Sequence, residues 1–141
     1  MALELTAVAP QVVPVNGNIV FTETPVEDGR CVLHREGSGV ITLRGSGTQC
    51  RARYKVTFNA NLAVPTGETV GAIQAALTFQ GEPLASTTMI VTPAAVEEYF
   101  NVGASAFIEI PCGCCQTVGV RNTSDIPISV QNANIIVERV A

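Results

Sequence analysis

Residues 51–62 alternate without a break. Ala52, Tyr54, Val56, Phe58, Ala60 and Leu62 fall on one side, and Arg51, Arg53, Lys55, Thr57, Asn59 and Asn61 on the other. A strict period of two predicts a half-buried antiparallel strand. Residues 117–123 repeat the pattern with Val118 and Val120 inward, and residues 126–132 with Ile126, Ile128 and Val130. Three other segments, 72–79, 105–110 and 135–137, are apolar on both sides, apart from Glu109. A strand buried on both faces reads this way. In a small antiparallel fold one sheet's outer face normally meets water, so these segments predict a partner surface.

Turn signals separate the strands: Asn16-Gly17, Asp28-Gly29, Pro65-Thr66-Gly67 and Gly81-Glu82-Pro83 among them. Strands and turns at this spacing predict a two-sheet β-sandwich. Gln80–Pro83 reads as a hairpin turn between 72–79 and a following strand at 84–91. Residues 92–100 offer Thr92 as N-cap and Pro93 at the first helical position, so a two-turn helix and a strand both remain open there. The chain reads as one domain over residues 1–141, with residues 1–11 as an N-terminal arm.

Composition narrows the function. Apolar residues make up 47%, charged residues 14% and aromatics 5% of 141 residues, with a net charge of −4. That apolar fraction excludes disorder, and the acidic balance argues against a nucleic-acid partner. The N-terminus carries Glu4 where a secretory signal needs a base, and Pro10 and Pro14 interrupt any apolar core. No apolar run approaches the roughly 20 residues that span a bilayer. The expectation is synthesis in a cytoplasm, with no membrane partner and with a virion or particle surface as the destination.

The candidate chemistry is sparse. Cys112, Cys114 and Cys115 cluster in one turn, and the C-x-x-C spacing of Cys112 and Cys115 suits a metal knuckle. A disulfide and a turn of small packed side chains are the alternatives, and no cofactor is expected. Cys31 and Cys50 flank glycine-rich turns and could face each other across a hairpin. His34 is the only histidine, and no motif around it suggests a general base. On a strand its side chain would point away from that of Cys31. Arg51, Arg53 and Lys55 line one strand face, either as a cationic stripe for an anionic glycan or as a solvated surface. Glu97, Glu98, Glu109 and Asp125 are scattered, without a glycosidase-like pair.

The order of these segments resembles the tumour-necrosis-factor-like jelly roll, shared with complement globular heads and the C-terminal domains of exosporium collagen-like glycoproteins. Val13–Phe21 resembles an early strand of that family. Glu36–Gly45 resembles its Thr-Gly-x-Phe segment. Cys50–Phe58 resembles the Gly-x-Tyr-x-Phe strand, with Cys50 in place of Gly. Leu77–Ser86 resembles its Asn-Gly hairpin, and Asn134–Val140 its closing strand, especially that of exosporium and bacteriophage members. Pro111–Gln116 departs from the polar turn usual there.

The resemblance implies an all-β, two-sheet antiparallel jelly-roll sandwich that packs as a homotrimer. It assigns 72–79, 105–110 and 135–137 to the inner, trimer-forming sheet, and 51–62 and 117–123 to the outer one. Ile73, Ala75, Leu77, Phe107 and Ile136 are then the expected trimer-interface residues. The function expected is that of a non-enzymatic structural or adhesive module on a bacteriophage virion or spore surface. Its partners would be copies of itself, virion or surface-layer proteins, and a glycan. A carbohydrate-binding lectin-like domain is the alternative.

Overall fold

The computed structural model describes residues 2–27, 32–44, 52–111 and 115–140. Its strands are β1 (Ala2–Ala7), β2 (Gln11–Val13), β3 (Glu23–Val26), β4 (Val32–His34), β5 (Ile41–Leu43) and β6 (Ala52–Ala63). After these come β7 (Ile73–Phe79), β8 (Glu82–Pro83), β9 (Met89–Val91), β10 (Phe100–Ile110), β11 (Gln116–Asn122) and β12 (Ile128–Arg139). They form two antiparallel sheets. The first runs β10-β6-β12-β1-β3, with β2 also on β12. The second runs β4-β5-β11-β7-β8, with β9 also on β7. The first strand therefore lies beside the last, Leu3 opposite Val137 and Leu5 opposite Ile135.

The longest alternation in the sequence became the longest element. Ala52, Tyr54, Val56, Phe58, Ala60 and Leu62 all point into the sandwich and are at most 1% exposed. Leu5, Ile135 and Val137 join them from the same sheet, and Ile41, Leu43, Ile73 and Val120 meet them from the other, all fully buried. Phe21 sits between the layers, edge-on to both Phe58 and His34 with ring centroids 6.4 Å apart. Tyr54 reaches full burial because its hydroxyl donates to the Arg44 carbonyl at 2.6 Å, which satisfies the one polar atom that burial would otherwise penalise.

The sheet assignment expected from sequence needs correction. β6 shares a sheet with β10 and β12, whereas β11 pairs with β7. Periodicity reports which residues share a face, not which strands share a sheet. The second apolar face of β7 is covered by the chain itself, since Ala76 is 1% and Thr78 4% exposed. Neighbouring segments close over this face: a side chain at Gly119 would lie 2.7 Å from the Gly39 carbonyl and 3.2 Å from Asn18 Nδ2.

Three further differences have local causes. The expected arm, residues 1–11, contributes β1 and the start of β2, because Leu3, Leu5 and Ala7 alternate into the core. Residues 92–99 are neither helix nor strand. Glu97 turns the chain there with φ of 59°, its amide bonded to the Val64 carbonyl at 2.8 Å. The segment expected as a strand at 84–91 forms a 3-10 turn at Ala85–Thr87 before β9, with the Thr87 hydroxyl accepting from the Leu77 amide at 3.0 Å. The Gln80-Gly81 hairpin holds as expected, with φ of 53° and 82°. Those signs suit the twist of the strands it joins.

Candidate assembly face

The outward face of the first sheet gathers Arg53, Lys55, Phe107, Glu109 and Ile136 from among the side chains singled out from sequence. Strand register sets them in rows across the sheet. Phe107 of β10, Lys55 of β6, Glu138 of β12 and Ala2 of β1 stand side by side. The next row is Ser105, Thr57, Ile136 and Glu4, and the next Gly103, Asn59, Asn134 and Thr6. Beyond these, Asn101 lies beside Asn61, which faces Gln131.

An amide belt crosses the middle of this face. Asn101 Nδ2 donates to Asn61 Oδ1 at 3.1 Å, and Asn61 Nδ2 to Asn132 Oδ1 at 3.3 Å. Asn134 Nδ2 donates to Glu4 Oε2. Gly103 leaves room for the belt, because a Cβ there would sit 2.5 Å from Asn59 Oδ1. On one side of the belt, Ala63 and Ser129 are buried, and the Tyr99 hydroxyl lies 2.7 Å from Ser129 Oγ. On the other side Phe107 is 65% exposed and Ile136 37% exposed. Phe107 is the most exposed large apolar side chain on this face, which also carries Ile136, Val26 of β3 opposite Glu4 and Val12 of β2 opposite Ser129.

The expected interface residues therefore divide. Phe107 and Ile136 lie on the exposed face of the first sheet. Ile73, Ala75 and Leu77 do not: they are at most 2% exposed, point into the core from the second sheet, and can meet no partner. Two-sided hydrophobicity could not separate cover by a loop from cover by a subunit.

Acids flank the described part of the cationic stripe. Arg53 Nη2 bonds Glu109 Oε1 at 3.1 Å, both side chains about half exposed, and Lys55 lies beside Glu138 in register. Arg51 lies outside the described residues. Of the described part of the stripe, Arg53 is paired with an acid of β10 and Lys55 stands next to one of β12.

Cys115 is disulfide-bonded, so it does not supply the thiolate that a zinc knuckle requires. Cys112 and Cys114, and the pair Cys31 and Cys50, lie outside the described residues. Among the described residues no three His, Cys, Asp or Glu side chains are grouped to hold a metal ion. No helix among them is long and apolar enough to cross a membrane. His34 donates Nε2–H to the Ser38 carbonyl at 2.7 Å, and its Nδ1 is buried. Neither nitrogen is open to a substrate, which removes His34 as a general base.

No protein-family model matches the sequence, and no curated protein matches it. Structural comparison does find likenesses. The globular domain of zebrafish complement 1qA superposes with a TM-score of 0.64 at 10% identity, over 99% of this chain and 94% of that one. Murine APRIL at pH 5.0 gives 0.64 at 11% identity, over 98% and 99% of the two chains. The protein has the two-sheet jelly-roll fold of the tumour-necrosis-factor and complement globular-head proteins.

Proposed function

We propose that the chain is a non-enzymatic structural and adhesive module that works as a homotrimer, closed through the outward face of the first sheet. The observation that carries this reading is Phe107, 65% exposed on the same outward face as Ile136, where the amides are already ordered among themselves. Burying those side chains against a second copy gains roughly 25 cal/mol per Å². A head-to-tail contact repeated around a threefold axis closes without leaving an edge. The fold shared with complement 1qA and APRIL is consistent with such an assembly. Virion or spore surfaces are the proposed setting, supported by the low charge content of 14% and by the sequence resemblance to exosporium and bacteriophage members.

Light scattering across protein concentrations tests the assembly. The expected result is a trimer mass for the native chain and a monomer mass for Phe107→Asp with an unchanged circular dichroism spectrum. A native chain that stays monomeric at every concentration sinks the proposal. Genes for capsid, tail or spore-coat proteins beside this one would support the setting.

A further inference from the structure

We infer that the β4–β5 hairpin binds an acidic saccharide, a sugar bearing a carboxylate or a sulfate, in the groove beside His34. This gives the adhesive part of the proposed function a ligand and rests on that reading only there. The groove is shallow and open to solvent, has a volume of about 450 Å³ and is lined by Leu33, His34, Arg35, Ser38, Val40 and Thr42. That volume falls in the range of small-molecule sites, roughly 300–1,000 Å³.

Its chemistry is mixed in a useful way. Leu33 and Val40 are 41% and 46% exposed and form apolar walls that can pack on the C–H face of a sugar ring. The hydroxyls of Ser38 and Thr42 lie among the same lining groups. The guanidinium of Arg35 is exposed and, among the described residues, has no hydrogen-bond or ion-pair partner. Unlike Arg53, it is therefore available. A planar guanidinium takes a carboxylate or sulfate through two parallel N–H bonds, which selects an acidic sugar over a neutral one.

The loop carrying these groups is held in place. Gly37 adopts φ of 90° and donates its amide to the Phe21 carbonyl at 2.8 Å. The Ser38 carbonyl accepts both the Phe21 amide at 3.2 Å and His34 Nε2–H at 2.7 Å. His34 is thus a positioning residue. A turn fixed by three hydrogen bonds, two to Phe21 and one to His34, loses little freedom on binding, which favours affinity.

A second hollow of about 340 Å³ shares His34 with the first and is lined otherwise by Thr24, Glu27 and Glu36. Its carboxylates accept from hydroxyl groups and repel an anion. The ligand therefore has a direction, with its acidic residue at Arg35 and a neutral, hydroxyl-bearing residue over Glu27 and Glu36.

Calorimetry of the full chain with sialyllactose, sulfated lactose and plain lactose tests this. At least one acidic probe should bind, and lactose at least about tenfold more weakly. Binding of sialyllactose alone identifies the carboxylate as the recognised group, and binding of sulfated lactose alone identifies the sulfate. Arg35→Ala and Arg35→Gln should each weaken the acidic probe by about tenfold or more, while Arg53→Ala leaves it unchanged. Three results overturn the inference: neither acidic probe binds, lactose binds equally well, or Arg35→Ala binds like the native chain. Thermal melts of the variants establish that they are folded. Light scattering on the same samples keeps the two proposals apart. A monomer that binds defeats the trimer alone, and a trimer that does not bind defeats the site alone.

Discussion

Asn122 is fully buried at the end of β11, and its amide nitrogen faces three carbonyl oxygens, those of Val13, Pro14 and Ile126, at 3.0–3.2 Å. Its Oδ1 accepts the Ser124 amide at 2.8 Å. One side chain thus ties the segment after β2 to the entry of β12. Asn122→Ala leaves buried acceptors without a donor, at about 1–3 kcal/mol for each stranded group. Urea unfolding should show a loss of about 3 kcal/mol, and Asn122→Leu should do no better. Two glycines give a paired test of close packing. An alanine Cβ at Gly119 would meet the Gly39 backbone oxygen at 2.7 Å, whereas at Gly103 it would meet the Asn59 side-chain oxygen at 2.5 Å. Backbone cannot yield and an amide side chain can, so Gly119→Ala should lower the melting temperature well below that of Gly103→Ala. Equal melting points would show that the β7–β11 face is looser than its geometry implies. Asn122 carried no signal in the sequence, because nothing in a single residue's neighbours says which distant carbonyls it will meet.

At the scale of elements, the hairpin joining β7 to β8 shows local preference yielding to a distant contact. A turn with positive φ at both central residues prefers Asn at the first, yet Gln80 stands there with φ of 53°. Its Oε1 accepts from the Thr117 amide at 2.7 Å and from the Thr117 hydroxyl at 3.1 Å, binding the hairpin to β11. Asparagine is one methylene shorter and loses that reach. Gln80→Asn should therefore destabilise the protein by about 1 kcal/mol, although it improves the turn. A stabilised variant in chemical denaturation would reverse that ranking. β12 tells a related story. Sequence offers two strands, 126–132 and 135–137, but the chain forms one strand of 12 residues with a register shift between Gln131 and Asn134. Asn132, with φ of 54°, absorbs the shift, which moves the inward side from Ile128 and Val130 to Ile135 and Val137. The bulge itself was legible only as a break in alternation.

At the scale of the whole molecule, an apolar chain with few charges invites an account in which its excess hydrophobicity is interface. The structure divides that excess. Most of it fills the sandwich, some of it on β7 is covered by the chain's own loops, some, such as Ile90 and Val8, is scattered over the surface, and a remainder that includes Phe107 and Ile136 stands on the outward face of the first sheet. If that remainder closes a trimer, the unfolding midpoint must rise with protein concentration by mass action, and Phe107→Asp must abolish the dependence. A concentration-independent midpoint for the native chain would place the trimer in doubt from a second direction. The exposed pair of Arg53 and Glu109 should matter little to the isolated subunit, because an ion pair in water contributes about 0–1 kcal/mol. Arg53→Ala should accordingly leave the melting point of Phe107→Asp within a degree or two.

The sequence alone determined the class of fold, the inward side of β6, the inward pairs of β11 and β12, and the hairpin at Gln80-Gly81. Each rests on a period or a turn preference that a few adjacent residues satisfy by themselves. Only the tertiary structure decided which strands share a sheet, that β1 closes against β12, and that Ile73, Ala75 and Leu77 belong to the core. It also decided that Arg53 and Lys55 face acids while Arg35 does not. Those outcomes depend on contacts between residues tens of positions apart, and hydrophobic periodicity fixes a side chain's direction without naming what it will meet.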